Sequence, residues 1–281
     1  MKNLRILVPT DLSDRSNNAF RIAAEFAKSA KATVTPLYAL TKTRYDGVDA
    51  EERAMADLEN IVDNYLDKKS IDNLIVSNLK PVDAVVDNGK EFDLIIMSSH
   101  GKNGFNRLLL GSVTEKVIRL SHTPVLVVKD HENLFPMEKI LLTTDFSDNA
   151  KKSYPLVLEL AKLTNASVHM LFAIVYSATE PATHLEAFVR TKEKQFRADV
   201  EEYFSEISDR VTFEAPLTKK SAHEFLAIHV DEHRYNLIVM STLGHTGLDY
   251  LRMGSTTSNV IRHADTNVLI TNPMSKINWN K

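Results

Sequence analysis

RILVPTDLSD at residues 5–14 and KILLTTDFSD at residues 139–148 are two copies of one phrase: a basic residue, a short apolar run, Thr-Asp, an apolar residue and Ser-Asp. They stand 134 residues apart. A second pair follows: DLIIMSSHG at residues 93–101 and NLIVMSTLG at residues 236–244, now 143 residues apart. That larger offset then holds, pairing Gly104 with Gly247, Gly111-Ser112 with Gly254-Ser255, Val117-Ile118-Arg119 with Val260-Ile261-Arg262, and Val125-Leu126 with Val268-Leu269. So many matches in one order mark an internal duplication, with about nine extra residues in the second copy.

Outward from these phrases, each half alternates short apolar runs with longer amphipathic stretches. The first half has runs at residues 6–8, 34–40, 74–76, 94–97 and 125–128, rich in β-branched residues and of strand length. Residues 14–30, 50–68, 82–91 and 112–121 fit helices between them. In the first helix Phe20, Ala23, Ala24 and Ala27 recur at helical spacing, with Ser13 or Asp14 as N-cap. The second half repeats the scheme with runs at 140–142, 168–174, 211–213, 237–240 and 268–270. Pro155, at the position of Arg21, is expected to disturb its first helix. Strands apolar along their length imply a parallel sheet covered on both faces, and right-handed crossovers make it doubly wound. Such a sheet takes its ligand beyond the carboxyl ends of the strands, where strand order reverses. The two domains are expected at residues 1–130 and 137–275, joined by a polar linker near 130–138, DHENLFPME.

Composition is that of an ordinary globular chain: 281 residues, 43% hydrophobic and 25% charged. A net charge of −3 gives no general attraction to nucleic acid or an anionic membrane. With no Cys, disulfides, thiolate zinc sites and a Cys nucleophile are excluded, and a reducing compartment is compatible. The opening MKNLRILVPTDLSD does not read as a secretory signal, and no apolar stretch approaches the roughly 20 residues of a membrane span. A cytoplasmic protein with no membrane and no nucleic-acid partner is expected.

Three pieces of each half fall at carboxyl ends of predicted strands. Asp11 and Asp145 follow the first strand. Ser98-Ser99-His100-Gly101 and Ser241-Thr242-Leu243-Gly244 follow the fourth. Gly111-Ser112-Val113-Thr114 and Gly254-Ser255-Thr256-Thr257 open the last helix. A glycine turn lets backbone approach phosphate, a helix start offers unpaired N–H groups, and Ser112, Thr114, Ser255, Thr256 and Thr257 add hydroxyl donors. A carboxylate on the opposite lip accepts from ribose or adenine donors. Each residue alone has a plainer reading: turn glycine, helix N-cap, strand-end turn. The same constellation twice at matched spacing favours a nucleotide.

These phrases resemble the universal stress protein family, whose ATP-binding members carry Gly-x2-Gly-x9-Gly-Ser/Thr after the fourth strand. Here the second Gly is Gly101, residues 102–110 follow, and Gly111-Ser112 closes the motif; in the second half they are Gly244, 245–253 and Gly254-Ser255. LLLGSVTEKVIRLSHTPVLVV and ILVPTDLSD are the most family-like stretches, and the resemblance covers nearly the whole chain twice. It implies two tandem Rossmann-like domains of the adenine-nucleotide alpha-hydrolase type, each with strand order 3-2-1-4-5, that bind ATP, with Mg2+ as its accompanying ion. The contacts it implies are Thr10, Asp11, Ala39, Met97, Ser98, His100, Gly101, Gly111, Ser112, Val113 and Thr114 in the first half. In the second they are Thr144, Asp145, Ala173, Met240, Ser241, Gly244, Gly254, Ser255, Thr256 and Thr257. The aspartates would meet adenosine, Ala39 and Ala173 adenine, and the glycine loops and helix starts phosphate. The first motif Gly is Ser98 or Ser241 here, a side chain that would crowd the ribose if turned inward. The first half matches the family phrase more fully and is expected to be the better site. The family's pairing through last strands implies an internal pseudo-dimer, through residues 124–128 and 267–270, and leaves a further homodimer open.

His229-Val-Asp-Glu232-His233 fits the H-x-x-E-H zinc-peptidase pattern, but the third ligand is unassigned and a polar surface helix is the plainer reading. No metal ligand is therefore assigned. The charged stretch 184–204 reads as a solvated helix face. Neither a Walker loop, a G-x-G-x-x-G fingerprint nor the Ser-Gly-Gly loop of adenylating pyrophosphatases is present. No base pairs with a nucleophile, so no catalytic residue is assigned. A regulatory ATP-binding module leads, ahead of a slow ATP-hydrolysing enzyme or a nucleotide-free scaffold.

Overall fold

Strands apolar on both sides need cover on both faces, and the fold supplies it twice. The computed structural model describes residues 3–99, 110–129, 134–242, 253–277 and 279. The chain divides into two compact units, Met1–Leu134 with Met274–Lys281, and Phe135–Pro273.

In the first unit the order is β1 (Arg5–Thr10), α1 (Asp14–Ala30), β2 (Thr33–Ala39), α2 (Ala50–Val62), β3 (Ile75–Ser77), α3 (Pro81–Gly89), β4 (Leu94–Ser98), α4 (Ser112–Leu120) and β5 (Val125–Val128). The strands are parallel in the order β3-β2-β1-β4-β5. Ile6, Leu7 and Val8 of β1 and Leu94, Ile95 and Ile96 of β4 are fully buried. Each such side chain contributes about 1.5–3 kcal/mol of burial. Ser13 caps α1 in a reciprocal box with Ser16. α2 stops at Val62, short of the expected 68. Asp63 and Asn64 favour turns, and Asn64 Nδ2 donates to the Asn60 carbonyl at 2.8 Å. The C-terminal segment completes this unit. Trp279 is buried, its Nε1 donating to the Asp93 carbonyl at 3.2 Å, and Lys276 N–H reaches the His122 carbonyl at 2.7 Å.

The second unit runs β6 (Lys139–Thr143), α5 (Asp148–Lys151), α6 (Tyr154–Thr164), β7 (Ser167–Leu171), β8 (Ile174–Val175), α7 (Ala182–Tyr203), β9 (Val211–Glu214), β10 (Leu217–Thr218), α8 (Ala222–His233), β11 (Leu237–Ser241), α9 (Ser255–His263) and β12 (Asn267–Thr271). Its main strands are parallel in the order β9-β7-β6-β11-β12, which is 3-2-1-4-5 again. Even the register repeats: Leu7 faces Ile95, and Leu141 faces Ile238. Pro155 does interrupt the first helix, falling in the first turn of α6 after the break from α5. The apolar run at 168–174 is not one strand. It breaks at Phe172-Ala173 opposite Pro216, which has no N–H for the ladder, and resumes as β8 paired with β10. The extra length of this half lies on either side of β9, in the α7 and β10 segments.

α7 is exposed along most of its length, as its charges imply, and buries a narrow stripe. Phe196 and Asp199 are buried, and the Phe196 ring packs on Phe146 and Phe213 at centroid distances of 4.8 and 5.2 Å. Charges crowd its other faces, which hid the apolar stripe. No helix among the described residues is long and apolar enough to cross a membrane.

Candidate functional site

Each first strand ends in Thr-Asp, an apolar residue and Ser, and both units fold that phrase into one turn. Thr10 Oγ1 accepts from the Leu12 N–H at 2.9 Å, as Thr144 Oγ1 does from Phe146. Asp11 Oδ1 accepts from the Ser13 N–H at 3.1 Å, and Asp145 Oδ1 from Ser147 at 3.0 Å. The residue between is left-handed, Leu12 at φ 61° and Phe146 at φ 65°. That conformation costs a side-chain-bearing residue about 1–2 kcal/mol. Burial of the same side chain returns about as much, so the turn persists. It places Asp11 and Asp145 half-exposed at the strand ends.

The fourth strand and the last helix are tied together just as regularly. Thr114 Oγ1 donates to the Ser98 carbonyl at 3.1 Å, and Thr257 Oγ1 to the Ser241 carbonyl at 2.7 Å. Gly111 N–H donates to the Ser99 carbonyl at 2.9 Å and Gly254 N–H to Thr242 at 2.8 Å. Thr114 and Thr257 are buried and brace the helix start. Ser112 and Ser255 are exposed, and Val113 and Thr256 half-buried, at the open end of the helix. Both N-caps are glycine and make no side-chain cap, so the first-turn N–H groups of α4 and α9 lack intrahelical acceptors.

In the second unit these pieces enclose a cavity of about 380 Å³ at the carboxyl ends of the strands. Its walls are Thr143, Thr144 and Asp145 after β6; Leu171, Phe172 and Ala173 after β7; and Met240, Ser241 and Thr242 after β11. Gly254, Ser255, Thr256 and Thr257 open α9 on one side, and Ala150, Ala222 and Leu226 complete the floor. The size fits a small-molecule pocket. Ser241 lines it without filling it. The corresponding strand and helix ends of the first half, expected to be the better site, adjoin residues 100–109, which lie outside the described residues. In the second unit Ala150 lines the floor at the position of Ser16, whose hydroxyl in the first unit bonds Thr10 Oγ1 at 2.8 Å. In the first unit Thr10, Asp11, Ala39, Met97, Ser98, Gly111, Ser112, Val113 and Thr114 occupy the corresponding strand and helix ends. His100, Gly101 and Gly244 lie outside the described residues.

Sequence reading missed the support beneath the second site. Thr144 Oγ1 meets Tyr154 OH at 2.7 Å; Tyr154 OH donates to Asp199 Oδ2 at 3.2 Å; Lys151 Nζ pairs with Asp199 Oδ1 at 2.6 Å. Burial, with Asp199 adding to it, holds the Tyr154 phenol far above its ordinary value, so it stays protonated. Lys192 of α7 sits among Phe146, Phe172 and Phe188, its Nζ 4.8, 4.9 and 5.1 Å from the ring centroids. Burial lowers its pKa, and the Asp145 carboxylate opposes that shift. Of these residues Thr144 and Phe146 stand in the repeated phrase and Phe172 in the second apolar run, whereas Tyr154, Asp199, Lys151 and Lys192 carried no signal in sequence. The H-x-x-E-H segment proves not to be a polar surface helix, since Leu226, His229 and Val230 are buried while Glu232 is exposed.

The whole chain is similar to known proteins. Residues 2–129 and 137–272 each match the universal stress protein family. A universal stress protein of Methanocaldococcus jannaschii is 33% identical over 141 residues, covering 44% of this chain and 81% of that one. Among solved structures, a universal stress protein from Archaeoglobus fulgidus superposes with a TM-score of 0.67 at 19% identity, covering 97% of this chain and 99% of that one. A functionally unknown protein from Pseudomonas aeruginosa does so with a TM-score of 0.69 at 18% identity, covering 97% and 93%.

Proposed function

The chain belongs to the universal stress protein family, as a tandem member, and on that premise we propose that its second unit binds an adenine nucleotide, ATP, as a regulatory ligand in the cytoplasm. The observation that carries this reading is the cavity walled by Asp145 on one side and the side-chain-uncapped start of α9 on the other. Adenine would lie against Leu171–Ala173, ribose hydroxyls would donate to Asp145, and phosphate would meet the N–H groups and hydroxyls of Ser255 and Thr256. Asp145 is the one ionisable side chain among the described residues lining the cavity. An accompanying Mg2+ would therefore rest chiefly on phosphate oxygens and water. Among the described residues no base stands beside a nucleophile in the cavity, which favours occupancy over turnover as the output.

Calorimetry on the full chain, stripped of nucleotide, tests the reading. ATP should bind the wild type, and Asp145→Asn should weaken it about tenfold or more, the worth of a hydrogen bond to a charged group. The asparagine oxygen can still accept from Ser147, so the turn survives the change. Absence of heat up to millimolar ATP would leave the scaffold reading in place.

A further inference from the structure

A second cavity of the second unit, about 190 Å³, shares no lining residue with the first. Three side chains from three elements converge in it: His169 from β7, Glu214 from β9 and His229 from α8. His169 Nε2 lies 3.3 Å from Glu214 Oε1, and His229 Nδ1 lies 3.6 Å from the same oxygen. Their ligand atoms all fall within 4.8 Å of one another.

Hydrogen bonding does not account for the whole of this convergence. A 3.6 Å separation is too long for one. His169 Nε2 is buried and has no hydrogen-bond partner among the described residues. The far nitrogens, by contrast, are held: His169 Nδ1 meets Thr212 Oγ1 at 2.8 Å, and His229 Nε2 meets Tyr235 OH at 3.0 Å. Where the far nitrogen donates, the near one keeps its lone pair, and two such lone pairs with a carboxylate oxygen facing one point make a ligand set for a cation. Outer hydrogen bonds of this kind are what orient metal-ligating histidines.

We propose that His169, Glu214 and His229 form a binding site for a divalent transition ion of the zinc class, with water in the fourth position. Tetrahedral bonds of about 2.1 Å put ligand atoms about 3.4 Å apart, which two of the three separations already approach. Only the gap between the imidazoles must close. Two nitrogens and one carboxylate suit zinc over the oxygen-loving magnesium and calcium. Glu232, the base that the H-x-x-E-H pattern would supply, does not line the cavity. The site therefore binds an ion without the peptidase machinery. The sequence left the third ligand of His229 unassigned, since β7 and β9 lie far from α8 along the chain.

The test uses the untagged full chain, stripped with chelator and free of nucleotide, titrated with Zn2+ alone. Bound metal is measured after dialysis, and Co2+ absorption reports four-coordination. The wild type should take up one equivalent at this site. Glu214→Gln and His169→Gln should each weaken binding at least about tenfold, and Thr212→Val about tenfold. His184→Ala, an exposed histidine of α7, should change nothing. Circular dichroism verifies folding; Glu214 and Thr212 are exposed enough that their variants carry the test should His169→Gln not fold. Failure to bind Zn2+, or binding indifferent to the Glu214 and His169 changes, overturns the proposal. Because no nucleotide is present, neither result bears on ATP.

Discussion

A methyl group added at Gly254 would stand 3.0 Å from the Thr242 carbonyl oxygen, tighter than ordinary contact. The backbone there is ordinary, at φ −57°, so space and not conformation demands glycine. Gly254→Ala should push the start of α9 off β11, cost about 1–3 kcal/mol and weaken ATP binding. Calorimetry and denaturant unfolding read the two effects, and an unchanged affinity would remove phosphate from that helix start. Asp199 answers to a different force. It is buried and takes bonds from Lys151 and Tyr154. Asp199→Ala would strand the Lys151 ammonium and should cost about 3 kcal/mol, the low end for a buried pair, because Lys151 keeps part of its surface in water. A melt little changed from wild type would show that water already screens the pair.

At the scale of elements, α8 and α7 are the parts whose sequence was least informative. Ala222, Leu226, His229 and His233 of α8 follow one another at helical spacing, the first two lining the nucleotide cavity and the last two the histidine cavity. One stripe thus serves both sites, and two histidines in it made the helix read as polar. Its start is set by the Ser221–Glu224 capping box. Ser221→Ala should cost about 1 kcal/mol by chemical denaturation. In α7 the buried stripe left a weak periodic signal for the complementary reason, Phe196 standing alone among many charges. Phe196→Ala would open a hole beneath Phe146 and Phe213 and should cost about 3–5 kcal/mol. A loss under 1 kcal/mol would mean that α7 is only loosely docked.

Over the whole molecule, the two units have separate cores, and the C-terminal segment belongs to the first. Trp279 is the one tryptophan of the chain, so its fluorescence reports unfolding of the first unit. Trp279→Ala should destabilise that unit by about 3 kcal/mol and leave ATP binding by the second unchanged. Saturating ATP should act oppositely: at about a hundred times its dissociation constant it should stabilise the second unit by about 2.7 kcal/mol. Hydrogen exchange would resolve this as protection at the ends of β6, β7 and β11 and the start of α9. Protection confined to the first unit would move the nucleotide there.

The one-dimensional string determined the duplication, the alternation of strands and helices and the first helix to the residue, while the strand order came from the family resemblance. The first three rest on local signals: apolar period, a serine cap, a phrase repeated at fixed offset. Only the tertiary structure decided that Thr114 and Thr257 brace carbonyls, that Tyr154 and Asp199 stand beneath Thr144, and that His169 and Glu214 meet His229. Those outcomes depend on which side chains from distant strands face one another, and a parallel sheet brings together residues whose separation along the chain records nothing of their contact.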